Sequence, residues 1–208
     1  MSDQTKEKIV DAAYRALVRQ GYHETSMKDI AAEAGVAPGL AHYYFQTKED
    51  LLVAAIERGC EPALKTWEDA GLSPHGQLPE DADPLALAQL GFDMAKQELR
   101  LFGDLFLLTF DMFGVGTHNP KIAAAVRQFI DDRRAFIARI TQGVIAGMAI
   151  RPDSSAEAIA AATWGSLHGI YLQKVIDPSF DADAAIDALR EMVFAFATGH
   201  RISQAGDN

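Results

Sequence analysis

The sequence predicts an all-α chain: an N-terminal three-helix domain with a helix-turn-helix, followed by a larger helical bundle. Three observations predict it. Apolar residues recur at helical spacing along nearly the whole chain. No stretch alternates with strand-like period over a useful length. The helix stop and start signals of residues 21–47 are crowded so closely that only short helices joined by tight turns accommodate them.

Each element follows from its own signals. Over residues 4–20, Ile9, Ala13, Ala16 and Leu17 form one apolar stripe, with Lys6, Glu7, Asp11 and Arg15 off it, and Gly21 is placed to end the helix. Ser26 with Asp29 three residues on reads as a capping box; Met27, Ile30, Ala31 and Ala34 form the next stripe, and Gly35 stops it. Pro38 suits the first turn of a short helix reaching about Phe45. Thr47 and Asp50 then form a second capping box for a helix running to about residue 70. Two short helices with a glycine-containing turn between them are a helix-turn-helix signature. Beyond a Gly-, Pro- and Asp-rich loop at 71–84, helices are expected at 85–101, 103–115, 120–148, 155–176 and 182–201, broken at GTHNP, RPDSS and DPSFDAD, with frayed last residues.

Composition narrows the function. The chain has 208 residues, 49% of them apolar, which is ample for a packed core. The single cysteine, Cys60, excludes an intrachain disulfide and a cysteine-cluster metal site. The N-terminus is charged and periodic, unlike a signal peptide, and no apolar run reaches membrane-span length; the expectation is a cytoplasmic protein with no membrane association. Net charge is −10, which argues against bulk electrostatic binding of nucleic acid. Residues 1–60 hold seven basic against nine acidic side chains, so any DNA contact there must come from local arrangement.

The stretch Thr25-Ser26-Met27-Lys28-Asp29-Ile30-Ala31 through Gly35-Val36, Gly39, Tyr44-Phe45, Lys48 and Leu51-Leu52 resembles the DNA-binding domain of TetR-type bacterial transcriptional regulators, in that family's order and spacing over about residues 5–56. The resemblance implies a homodimeric repressor. Residues 1–48 would form the DNA-binding domain and residues 49–208 the helical domain that dimerises and binds a small-molecule inducer, mostly apolar. Operator duplex DNA would be the macromolecular partner, with no cofactor, metal or catalytic residue. The implied DNA-contact set is Ser26, Lys28, Pro38, Gly39, Leu40, His42, Tyr43, Tyr44 and Lys48. Lys28 resembles a position reaching a base edge or phosphate, and Tyr44 and Lys48 resemble phosphate contacts. His42 can donate or accept at a base edge, Tyr43 can bind phosphate or stack, and Leu40 can touch a thymine methyl. Phe45 is expected inward. Members often carry a basic residue before Gly39 and a threonine after it; Pro38 and Leu40 stand there instead, so no relative's operator can be borrowed.

In the larger part, Phe102, Phe106, Phe110 and Phe113 make one stripe, and Leu101, Leu105, Leu108 and Met112 another. A helix apolar around most of its circumference is a buried core helix; the sharper reading is an inducer cavity, with Trp67, Phe102, Phe106, Phe110, Met112, Phe113, Trp164, His168 and Tyr171 as candidate lining. Asp104 and Asp111 are expected to pair or face solvent. Small residues crowd 155–176, and Ile186, Leu189, Val193 and Phe196 fall at seam-like spacing. The candidate dimer interface is therefore Ile159, Ala162, Ser166, Ile186, Leu189, Val193 and Phe196. Two other function classes compete: a helical enzyme and a protein-binding scaffold. Against the enzyme, the six histidines form no i, i+4 pair and Cys60 has no histidine near it in sequence.

Overall fold

The computed structural model describes residues 2–72, 83–147 and 154–197. Among them the chain forms nine α-helices: α1 (Ser2–Glu24), α2 (Met27–Ala34), α3 (Pro38–Tyr44), α4 (Lys48–Asp69), α5 (Pro84–Leu101), α6 (Gly103–Gly116), α7 (Pro120–Gly147), α8 (Ala156–Ile176) and α9 (Ala182–Ala197). Every expected helix is present. Most of the 71–84 loop, most of RPDSS, the end of the 182–201 helix and the last residues lie outside the described residues. One boundary differs in kind. At Gly21 the backbone takes φ 77 and ψ 167, a region open almost only to glycine, and a further turn then runs to Glu24.

Contacts divide the chain into two compact units, residues 1–70 with 101–130, and 71–100 with 131–208. In the first, α1 packs on α2, α4 and α6, α4 also packs on α6, and α2 packs on α3. The core joins Ile9, Ala13, Ala16 and Leu17 of α1 to Ile30 and Ala31 of α2. It continues through Leu51, Leu52, Ala55 and Ile56 of α4 to Leu105, Leu108 and Met112 of α6. The stripes visible in the sequence are thus the faces that meet. The phenylalanine- and leucine-rich helix α6 gives Leu105, Leu108 and Met112 to this core, while Leu107 is exposed and Phe110 and Phe113 are half-buried. At one crossing there is no room for a side chain: a Cβ on Gly59 would lie 2.5 Å from Tyr14 Cε2 and 2.9 Å from Leu105 Cδ1.

The second unit is held by α8 against α9 and by polar ties between α5 and α9. Lys96 pairs with Asp187 at 2.6 Å, and Arg100 with Asp183. Phe92 meets Phe194 edge-on at 6.0 Å. Lys174 closes the end of α8, donating to the carbonyls of Pro178 (2.7 Å) and Phe180 (2.8 Å).

Gly59→Ala should destabilise the protein by about 1–3 kcal/mol through overpacking at the α1–α4–α6 crossing. Thermal or urea denaturation reads the shift; an unchanged midpoint would refute the crossing geometry.

Candidate nucleic-acid interface

The helix-turn-helix is built from local capping chemistry. Ser26 Oγ accepts the Asp29 N–H at 3.2 Å, and the Asp29 carboxylate accepts the Ser26 N–H at 2.9 Å, so α2 starts with a complete capping box. Gly35 ends α2 in the left-handed conformation (φ 65, ψ 37), and Val36 N–H returns to the Ala31 carbonyl at 3.0 Å. Two residues later Pro38 opens α3. Thr47 and Asp50 repeat the capping box at α4, with Thr47 N–H to Asp50 Oδ2 at 3.1 Å. Each box contributes about 1 kcal/mol and together they set where the short helices begin.

Helix α3 turns Ala41 inward and the following Phe45 seals its end, both buried. Outward it presents Pro38, Gly39, Leu40, His42 and Tyr43. Tyr43 is 78% exposed and Leu40 38%, a large apolar and hydrogen-bonding surface with no cover among the described residues. Tyr44 is half-buried and meets Tyr43 edge-on at 5.3 Å. Lys28 is exposed on α2. The structure therefore brings Lys28, His42 and Tyr43 out on the α2–α3 pair, while Ser26 spends its hydroxyl on the cap.

Lys48 behaves differently from the free point charge expected of a phosphate contact. Its ammonium donates to the carbonyls of Tyr22 (2.6 Å) and Thr25 (2.9 Å) and lies 4.0 Å from the Tyr22 ring centroid. Burial lowers its pKa. Tyr22 is the residue that sequence reasoning missed. Its N–H donates to Asp111 Oδ2 at 2.8 Å and its hydroxyl to Glu49 Oε1 at 3.1 Å; burial first, then the Glu49 hydrogen bond, raises the phenol to about 12. Asn119, which caps α7 through its Oδ1, also donates to Glu49 at 3.4 Å. The available signal was a tyrosine directly after the helix-breaking Gly21. Asp111 pairs, as expected of it, but with a backbone amide and not an arginine. Arg15 and Arg19 of α1 both hold Glu33 of α2, at 3.1 and 2.6 Å.

The candidate ligand residues divide between the units. Trp67, Phe102, Phe106, Phe110, Met112 and Phe113 belong to the first. Met112 is sealed in its core, and Phe102 and Phe113 pack against that core. Met112, expected in the cavity lining, is 2% exposed within this core. In the second unit His168 stacks on Trp164 (3.8 Å between centroids), and its Nδ1–H donates to the Trp164 carbonyl at 3.1 Å. Burial depresses its pKa to about 4, so the ring is neutral at pH 7. Tyr171, buried beside it, donates to the Ala95 carbonyl at 3.3 Å. The dimer set also divides. Ile186 (0% exposed) and Leu189 (6%) face their own unit's core, so the seam drawn through them is corrected. Ala162, Ser166 and Phe196 are exposed, joined by Leu172, Ile176 and Met192, while Ile159 and Val193 are half-buried. The helical period was legible; which stripe the chain buries in its own core was not. Among the described residues no helix is long and apolar enough to cross a membrane, and no cluster of three or more His, Cys, Asp or Glu could hold a metal.

Comparison with known proteins places this geometry. Residues 9–55 match the family model of bacterial regulatory proteins, tetR family. The HTH-type transcriptional regulator BetI of Rhizobium meliloti is 49% identical over 51 residues, 24% of this chain and 25% of that protein; the chain thus matches about a quarter of the relative's length. The transcriptional regulator FadR of Bacillus subtilis, solved in complex with stearoyl-CoA, shares the fold over 90% of this chain and 96% of its own (TM-score 0.73, 19% identity). A candidate transcriptional regulator of Saccharomonospora viridis, in complex with choline, does so over 93% and 95% (TM-score 0.71, 22% identity). At these identities the structures establish the fold alone.

The caps carry a pH signature. Hydrogen bonds from Ser26 to Asp29, from Arg19 to Glu33, and from Lys121 to Asp50 hold these carboxyls below their ordinary values of 3.8, 4.5 and 3.8. A carboxyl lowered by folding stabilises the fold above its unfolded value, and that contribution is lost as pH falls through the folded one. Urea denaturation should therefore show stability flat near neutrality and falling below about pH 5. Asp50→Asn should lower the neutral plateau and make the acid limb shallower.

Proposed function

The chain belongs to the TetR-type transcriptional regulators by the DNA-binding domain it carries over residues 9–55, and on that premise we propose a homodimeric repressor released from its operator by a small-molecule inducer. The family is one of regulators and not of enzymes. The observation that carries the reading is the outward face of α3. Leu40, His42 and Tyr43 are exposed in sequence, on a short helix whose pose is fixed by capping boxes on either side. A helix of this kind, entering the major groove from each of two subunits ~34–36 Å apart, reads two half-sites. His42 addresses a base edge, Leu40 a thymine methyl, and Tyr43 and Tyr44 phosphate or sugar oxygens; Lys28 adds charge, and Pro38 and Gly39 let backbone approach closely. DNA contact is assigned to residues 1–48, dimerisation and ligand binding to 49–208, and the place of action is the cytoplasm.

The two neighbours bind an acyl-CoA and choline, ligands of different chemistry, so the fold leaves the inducer class open. In this chain we assign a ligand-facing role to Trp164, His168 and Tyr171. A neutral imidazole stacked on an indole favours an apolar or aromatic ligand over an anion. For the dimer, the exposed apolar residues of α8 and α9, Leu172, Ile176 (74%), Met192 (63%) and Phe196 (48%), with the small Ala162 and Ser166 between them, replace the buried Ile186 and Leu189 as the assigned face. Inducer release then follows from linkage: whatever factor the inducer takes from DNA affinity, DNA takes from inducer affinity.

Two measurements check this. The protein should shift a duplex carrying its own upstream intergenic region at low salt, and Tyr43→Ala should weaken that binding about tenfold, corresponding to roughly 1–3 kcal/mol for a lost specific contact, without moving the melting temperature. No specific shift at low salt sinks the regulator reading. Separately, Met192→Glu should convert a dimer to a monomer in sedimentation; an unaltered dimer refutes the α8–α9 face.

A further inference from the structure

We propose that Lys48 is a positioning residue. Its ammonium latches the end of α1 and the entry to α2 onto the N-terminus of α4, and so sets the pose of the helix-turn-helix, instead of gripping a DNA phosphate. The latch stands on geometry; its consequence for DNA rests on the regulator reading above.

A lysine ammonium has three hydrogens to give. Two go to backbone carbonyls, Tyr22 at 2.6 Å and Thr25 at 2.9 Å, and the Tyr22 ring covers the group from 4.0 Å. The Tyr22 carbonyl lies in the last turn of α1, where carbonyls lack partners along the helix and a cation is favoured. Thr25 stands just before the Ser26 cap, two residues ahead of the first residue of α2. One side chain rooted in the first residue of α4 therefore ties both the end of α1 and the start of α2. The carbonyls are themselves held. Tyr22 is fixed by Asp111 and Glu49, and Thr25, buried, donates its hydroxyl to the Gly21 carbonyl at 2.8 Å. Swinging Lys48 out to a phosphate would strip two short hydrogen bonds from carbonyls that have been placed to receive them. The lowered pKa of the half-buried amine agrees with this placement.

Salt dependence separates the two roles. Each phosphate contact contributes about −0.9 to the slope of log affinity against log salt, whereas a positioning residue contributes none. The full-length protein is titrated onto its own upstream intergenic duplex, and onto a scrambled duplex of equal length, at several salt concentrations well below its melting temperature. Lys48→Met should lower specific affinity at least tenfold at every salt concentration and leave the slope unchanged. Lys28→Met, removing an exposed charge, should reduce the slope by about 0.9 per contacting subunit. A slope loss of that size for Lys48→Met overturns the proposal, and so does unchanged specific affinity. A merely structural lysine would lower the melting temperature and leave the affinity of folded protein unmoved. Hydrogen exchange of the DNA-free protein supplies a second arm. Amides 22–29 should exchange at least tenfold faster in Lys48→Met while those of Leu51–Cys60 do not change; equal exchange overturns the latch. If the wild type binds no DNA specifically, the regulator reading fails and the exchange arm decides the latch alone. Should Lys48→Met not fold, Lys48→Gln removes the charge while its amide can still donate toward the same carbonyls; it should keep the salt slope unchanged, and a slope loss of about 0.9 per contacting subunit overturns the proposal.

Discussion

The first packing unit depends on how Tyr22 is held. Gly21 turns the backbone through a conformation that side chains resist, and this points the Tyr22 amide at Asp111 on α6. The same residue offers its carbonyl and ring face to Lys48 and its hydroxyl to Glu49, both at the start of α4. Glu49 in turn accepts from Asn119, whose other amide atom begins α7. One side chain and its own peptide thus tie three helices together at the base of the helix-turn-helix. The apolar core beneath supplies most of the burial, but apolar contact is non-directional. Direction comes from these few hydrogen bonds, each of which costs more to leave unmade than it gains when formed.

The phenylalanine-rich helix α6 is the second half of the same arrangement. Its Leu105, Leu108 and Met112 close the core laid down by α1 and α4, and its Asp111 holds the bend at Gly21. A helix that is apolar on most of its circumference can still carry one acid inward if that acid has a committed donor, here a backbone amide. Displacing α6 along its axis would strain the bend directly, so the pose of α1 and α2 is coupled to α6 through a single carboxylate as well as through packing.

Local chemistry was legible in the sequence and long-range chemistry was not. Both capping boxes, the Gly35 stop and the Pro38 start are relations between residues at most a few positions apart, and each was read from spacing. The Tyr22 contacts join residues 26, 27 and 89 positions apart, and no periodicity encodes them. Lys48 illustrates the boundary: its place in the first turn of α4 is local, while its partners are tertiary. The α9 stripe shows the same limit, since Ile186 and Phe196 fall on a readable helical pattern while only packing reveals that the first faces inward and the second outward. The phenylalanines of α6 were ambiguous between core and cavity because both environments select the same side chains.

With Lys48 committed to carbonyls and Ser26 to its cap, the surface around α3 offers mainly hydroxyl, imidazole and aliphatic groups on a chain of net charge −10. On the regulator reading proposed above, such a surface, with Lys28 as its exposed lysine on α2, would have little affinity for arbitrary chromosomal sequence, whose pull is almost wholly electrostatic. A bacterial genome presents on the order of a million or more competing sites, and what matters in the cell is the ratio of specific to background binding. By giving up background grip, a protein built in this way would leave few copies stranded on irrelevant DNA. A small number of molecules would then suffice to keep one operator occupied.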